Sequence, residues 1–296
     1  MKEKISIALA TYNGAKYLSQ QIYSLMAQTI LPIEIVIVDD NSSDDTVKLL
    51  YKLQEEFPRI KLFLNEENQG PIKSFKRAIF HCTSEYIALC DQDDIWEPEK
   101  LHLCFDALRT VEKQSVPSIA FSDLKVVDSD GNLISESFWG IQGYQVEKIT
   151  FKNILFGNVV TGCTIMMNLA MKRALEKMPD DVAMHDHWIA LIAYGFGRIK
   201  YIRDTPIKYR VHERSVTNKS KPSLISRFKL LINNILDRKG QYMRENIIQA
   251  DRFKDCFYQY LTDDNRRSLD NFVSLQSRGS LFRKLYIGLQ KYYYGK

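Results

Sequence analysis

The chain has 296 residues, of which 45% are hydrophobic and 26% charged, so it can bury one sizeable core with a small appendage, which excludes a disordered or fibrous protein. A formal net charge of +5 conceals an asymmetry, because residues 219–296 hold 16 basic and 7 acidic side chains while the remainder holds 25 basic and 29 acidic. Ile5–Ala10 is too short for a signal core, no run is long enough to span a bilayer, and Cys82, Cys90, Cys104, Cys163 and Cys256 lack metal-ligand spacing, so a reduced, cytoplasmic setting is expected.

In chain order, Ile5–Ala10, Ile35–Val38, Lys61–Leu64 and Tyr86–Cys90 read as buried strands. Between them Ala15–Gln28, Asp44–Glu56 and Ile72–Cys82 carry apolar residues at three- and four-residue spacing, as in Leu18, Ile22 and Leu25, and predict helices. Such a βαβ series implies an α/β fold with a mostly parallel sheet and helices on both faces. Asn41, Ser42 or Ser43 would cap a helix beginning near Asp44, and Pro58 would stop it. After Cys90 the alternation loosens. Trp96, Pro98 and Glu99 open a helix, Ile119–Phe121 and Lys125–Val127 read as strands, Asp128–Gly131 as a turn, and Thr164–Met167 as a strand. Helices follow at Leu169–Lys177 and Trp188–Tyr194, so the second half is expected to be mixed and built onto one edge of the first. From about Lys219 the pattern is helical and basic, dividing the chain into 1–218 and 219–296. That region carries Phe228, Phe253, Phe257, Tyr260, Phe282 and Tyr292–Tyr294, which suits either an anionic lipid surface or a solvated helical subdomain.

Ligands of parallel α/β sheets bind beyond the carboxyl ends of the strands. Here three such ends are polar: Thr11-Tyr12-Asn13-Gly14, Asp39-Asp40-Asn41-Ser42 and Asp91-Gln92-Asp93-Asp94. Adjacent carboxylates repel, so a fold keeps them for a cation, a hydrogen-bonded ligand or a helix cap. Strand-like alternation turns Asp91 and Asp93 to one side, as two ligands of a hard divalent ion require, although aspartate is also a common turn residue. No glycine-rich phosphate loop follows any strand, which argues against a nicotinamide enzyme and a P-loop phosphotransferase.

Ile7–Gly14 followed by Ile35–Asp44 resembles the opening of the family 2 glycosyltransferases, and Cys90–Leu101 resembles that family's D-x-D segment. The likeness runs from about residue 4 to residue 217. His185-Asp186-His187-Trp188 and Tyr209-Arg210-Val211-His212 most resemble bacterial rhamnosyltransferases of polysaccharide assembly, whose usual form has an aromatic residue at the place of His187. The resemblance implies a GT-A fold and an inverting, metal-dependent sugar transferase. Asp39 would hydrogen-bond the nucleotide base and Thr11 would reach it through its backbone, with Tyr12, Asn13 and Asp40 beside them. Asp91 would meet the ribose or the metal shell, Asp93 would ligate Mg²⁺ or Mn²⁺ on the diphosphate, and Lys73 would contact the donor. Asp186 would be the general base, His212 would stand near the metal and diphosphate, and Arg210 would pair with the diphosphate or with a core carboxylate. His185 could bind the acceptor. Core packing suits at least two of Trp96, Trp139 and Trp188, with Trp188 kept as the sugar-stacking candidate.

The implied donor is a nucleotide-diphosphate sugar, dTDP-rhamnose first and a UDP-hexose or UDP-HexNAc as the alternative. The implied acceptor is a glycan on a polyprenyl-diphosphate lipid at the cytoplasmic membrane face, with no nucleic acid and with a homodimer allowed. A sugar nucleotidyltransferase would need a glycine-rich basic loop after the first strand, which is missing. A non-catalytic nucleotide- or nucleic-acid-binding module draws support from the basic segment, but phosphate binders rarely keep carboxylates at three strand ends.

Overall fold

The structure, a computed structural model, describes residues 4–211 and 243–277. Strands β1 (Ile5–Thr11), β2 (Glu34–Asp39), β3 (Ile60–Leu64) and β4 (Tyr86–Cys90) pair in parallel. Helices α1 (Ala15–Met26), α2 (Thr46–Glu56) and α3 (Pro71–His81) connect them. Strands β6 (Ser118–Ser122), β9 (Met166–Asn168) and β10 (Arg198–Ile202) extend the sheet beyond β4, in the order β10-β6-β9-β4-β1-β2-β3. Only β9 runs antiparallel to its neighbours, so the second half is indeed built onto one edge of the first. A smaller sheet of β5 (Ile95–Trp96), β11 (Ile207–Arg210), β7 (Lys125–Val127) and β8 (Leu133–Ser135) stands where the polar loop after β4 emerges.

β2 and β4 are buried along their whole length, as strands covered on both faces must be. Their side chains alternate between two cores. Ile7, Leu9, Ile35 and Ile37 meet Leu18 and Ile22 of α1, Leu50 of α2 and Leu101 and Leu108 of α4 (Lys100–Val111). Ala8, Val36, Val38 and Leu89 meet Phe75 and Ile79 of α3 and Ile189 and Ile192 of α8 (His185–Gly195), which follows the short helices α5 (Phe138–Gln142), α6 (Phe151–Phe156) and α7 (Leu169–Ala174).

Helix α9 (residues 243–257) and α10 (Asp263–Val273) add Ile247, Phe253, Phe257, Leu269 and Phe272 to this second core. The rings of Phe253 and Phe257 lie 5.7 and 6.2 Å from that of Trp188. Residues 243–277 are thus a layer of the main core. They hold 5 basic and 6 acidic residues, so the basic excess expected of 219–296 resides in 219–242 and 278–296, which lie outside the described residues together with His212, Phe228, Phe282 and Tyr292–Tyr294. No described helix is long and apolar enough to cross a membrane.

Two expectations change. α2 begins at Thr46, near the expected start, but Ser42 and Ser43 bond Asp39 and Asn13 instead of capping it. The strands β5, β8, β10 and β11 were not expected from the sequence, being two to five residues long. In β10 the charged Arg198 and Lys200 alternate with apolar residues on an exposed edge, which leaves little hydrophobic signal.

Candidate active site

Side chains of each strand-end loop reach across to the next. Asn13 sits at φ 49, in the left-handed region that asparagine tolerates, and its Oδ1 accepts from the amides of Ser43 (2.8 Å) and Asp44 (3.3 Å). Asn41, at φ 62, makes the same kind of turn after β2. Gln92 Oε1 accepts from Thr11 Oγ1 (2.6 Å) and the Tyr12 amide (2.9 Å), while its Nε2 donates to the Tyr12 carbonyl (3.2 Å). Gly14 makes room for this latch, since a Cβ there would fall 2.2 Å from Gln92 Oε1.

Thr11 and Asp39 are register partners at the ends of β1 and β2, and both are buried. Asp39 accepts from the Ser42 amide (2.9 Å) and hydroxyl (2.6 Å), while burial, with Asp40 and Asp44 nearby, holds its carboxyl above the usual range. Tyr12 lies at the mouth with 46% of its surface exposed.

Four expected ligand-binding residues are placed otherwise. Asp40 is buried, with Oδ1 accepting from Asn65 Nδ2 (2.7 Å) and the Gln69 amide (2.8 Å) and Oδ2 from the Gly70 amide (2.8 Å). It pins the loop that starts α3 and has little left to offer a nucleotide. Arg210 is also buried: its guanidinium donates to the carbonyls of Asp93 (3.0 Å) and Ser129 (2.8 Å) and to Gln20 Oε1 (2.8 Å), and lies 4.6 Å over Tyr17. It clamps the acidic loop to α1 and to the β7–β8 turn instead of reaching for a diphosphate. Trp188 is wholly enclosed by the aromatic residues of α9, so it is core and not a sugar platform; Trp96 and Trp139 are buried as well. His185 is buried against Phe75, rings 4.2 Å apart, and burial lowers its pKa to about 4, so it stands neutral behind the site and not in an acceptor's path. Lys73 is exposed in the first turn of α3, within electrostatic reach of Asp180.

Asp91, Asp93, Asp94 and Asp186 form the electrostatic centre. Asp91 is pushed up to about 7 by burial and by the charges of Asp93 and Asp186. Asp94 is held well above the usual carboxylate range by burial, Asp91 and Asp93. Its Oδ1 accepts from the Arg210 amide (3.2 Å), while Oδ2 has no hydrogen-bond partner among the described residues. Ligand atoms of Asp91, Asp94 and Cys163 all lie within 4.8 Å of one another. Asp186, in the first turn of α8, accepts from the His187 amide (2.6 Å) and is stabilised by the Gly162 amide and the Asn158 side chain, yet burial raises it to about 6. His187 itself bonds the Ile154 carbonyl (2.7 Å), fixing the start of the helix. Below the loop, Lys100 is fully buried with Nζ 3.5 Å over the Trp96 ring, close enough for its charge to bear on Asp94.

So much clustered, partly uncompensated negative charge suits a divalent cation, and an unpartnered buried carboxylate oxygen suits it further. Asp94, Gln92, Cys163 and Lys100 were not singled out as site residues in the sequence. Only Asp94 carried a signal, as the third carboxylate of the Asp91-Gln92-Asp93-Asp94 run.

The profile described as glycosyl transferase family 2 matches residues 6–175. An uncharacterized glycosyltransferase of Nostoc sp. is 31% identical over 215 residues, covering 71% of this chain and 65% of that protein. Chondroitin synthase of Escherichia coli is 34% identical over 147 residues, 49% of this chain and 21% of the synthase. The chain thus spans less than two thirds of the length of either relative. Among solved structures, residues 1–349 of S. aureus TarS in complex with UDP superpose with a TM-score of 0.60 at 19% identity, covering 92% of this chain and 70% of that one, which shows a shared fold.

Proposed function

The chain belongs to glycosyl transferase family 2, and we propose that it moves a sugar from a nucleotide-diphosphate donor to a hydroxyl of a polysaccharide precursor, inverting the anomeric centre with the help of a divalent cation. The observation that carries this reading is the convergence of four carboxylates at the ends of β4 and the start of α8, two of them raised to about 7 and about 6.

In this mechanism Thr11 and Asp39 take the base, the role that the family resemblance gives to these register partners at the adjoining ends of β1 and β2. Asp91 and Asp93, with Asp94 behind them, would hold Mg²⁺ or Mn²⁺. When bound, that ion supplies Lewis-acid stabilisation of the departing diphosphate. Asp186 accepts the proton of the acceptor hydroxyl as the new C–O bond forms and the bond from the anomeric carbon to the phosphate oxygen breaks. A carboxylate raised to about 6 is ionised at neutral pH and still basic enough to serve. One base and one displacement give inversion. Lys73 adds charge beside the donor from the first turn of α3.

The likeness of His185–Trp188 to rhamnosyltransferases supports a dTDP-rhamnose donor, and the UDP in the TarS structure supports a UDP-sugar. The 11 basic residues against one acidic in 219–242 and 278–296 support work at an anionic membrane face, on a lipid-linked acceptor. The test is a panel of dTDP-, UDP- and GDP-sugars with Mn²⁺ or Mg²⁺, read by thermal shift and slow donor hydrolysis. A shift for one donor, with hydrolysis lost in Asp186→Asn while the shift is kept, is the expected result. No shift and no hydrolysis with any donor would overturn the reading.

A further inference from the structure

A depression of about 380 Å³ lies at the end of the sheet opposite the clustered carboxylates. It is bordered by the residues that lead into β6, by Arg173 and Lys177, and by the rings of Phe196, Phe257 and Tyr260. β6 and β10 begin here, whereas the carboxylates stand at carboxyl ends; five strand residues at ~3.3 Å each separate the two ends by roughly 17 Å. Nothing in the proposed mechanism uses this place.

Its aromatic wall is built by close backbone approach. A Cβ on Gly197 would fall 2.4 Å from the Pro117 carbonyl and 2.9 Å from Ala193 Cα, so glycine allows the end of α8 to turn tightly into β10 beside the loop before β6. Phe196 is presented at that turn, its ring stacked on Tyr260 (5.4 Å, 28°) and tilted against Phe257 (5.2 Å). Tyr260 keeps 52% of its surface exposed, a large ring open to solvent. Lys177 Nζ lies 5.7 and 5.6 Å over Phe257 and Tyr260. Arg173 and Lys177 are exposed, and among the described residues no carboxylate lines the depression and neither cation has an ion pair.

An exposed aromatic ring edge with cations held over and beside the cluster is complementary to a ring that is apolar on one side and carries an anion at its edge. We infer that this depression is a second binding site for an anionic saccharide, taking a uronate- or phosphate-bearing unit of the acceptor polymer remote from its reacting end. The site is concave, whereas residues that dock on a membrane protrude, so a sugar is the favoured occupant over a lipid surface. The inference rests on the glycan-acceptor reading, and its consequence is that only acceptors long enough to reach from one end of the sheet to the other gain from it.

The full chain, without donor or metal, is titrated by ligand-observed NMR with an acidic hexasaccharide of alternating uronate and N-acetylhexosamine, and with its carboxyl-reduced counterpart. Binding by the acidic form, weakened about three- to tenfold in Tyr260→Ala and in Lys177→Ala and weaker for the reduced form, is expected. The same variants should keep the wild-type donor thermal shift, so that failure here is separable from failure of the transferase reading. Equal binding of acidic and reduced forms, affinity unchanged in both variants, no binding of the acidic form, or an effect of the variants only on sedimentation with phosphatidylglycerol vesicles would each overturn the assignment.

Discussion

The strand ends Asp39-Asp40 and Asp91-Gln92-Asp93-Asp94 look alike in sequence and behave in opposite ways. At the first, Asp40 is surrounded by three donors from the β3–α3 loop, and its charge holds the fold together. At the second, Asp91 and Asp94 face other carboxylates, are raised by burial and then by repulsion, which the Cys163 thiol only partly offsets, and leave Asp94 Oδ2 without a hydrogen bond from the described residues. The difference teaches that a carboxylate pair is diagnostic of function only where the protein declines to satisfy it. Arg210 belongs to the satisfied kind although it stands beside the unsatisfied one, because it spends its donors on carbonyls that hold the acidic loop in place.

The comparison is tested hardest by removing one member from each side. Asp186→Asn should lower the transfer rate by about 10²–10⁴-fold with the donor thermal shift intact, measured by product release. Asp40→Ala should instead cost about 2–4 kcal/mol of folding stability in urea unfolding, because the Gln69 and Gly70 amides and Asn65 lose their acceptor. A smaller and opposite effect is expected of Asp186 on stability. Its folded pKa of about 6 lies above the unfolded value, so the native state loses stability as pH rises from about 4 to about 6 and stays disadvantaged above that. Asp186→Asn should therefore be more stable than the wild type by about 1–2 kcal/mol at pH 8, with most of the gain gone at pH 4, as denaturation at the two pH values would reveal. The least effect belongs to Lys73→Ala, which should raise the donor KM by about two- to fivefold and leave kcat unchanged, as an exposed charge contact would.

The sequence allowed the first half to be read because β1, β2 and β4 are buried on both faces and α3 among their helices is strongly amphipathic, so period and burial coincide. It made β5, β8, β10 and β11 hard to see because they are short and partly exposed, and all but β8 have register set by partners distant in the chain. Asp91, Asp93 and Asp186 could be selected because a strand end and a helix start mark them. Asp40 and Arg210 were assigned to ligand binding because sequence does not say where an amide or a carbonyl will point. Trp188 was kept as a sugar platform for want of any sign that α9, some 60 residues later, would cover it. The basic tail looked uniform, yet the stretch of it that the structure describes, residues 243–277, is nearly neutral and apolar on one side.

The most direct test of the central claim is a calorimetric titration of Mn²⁺ at pH 8, with UDP or dTDP present, into the wild type, Asp40→Asn and Asp91→Asn. Saturable binding that survives Asp40→Asn and vanishes in Asp91→Asn is what the contrast between satisfied and unsatisfied carboxylates predicts. Binding unaffected by Asp91→Asn, or no binding by the wild type with either nucleotide, would contradict it.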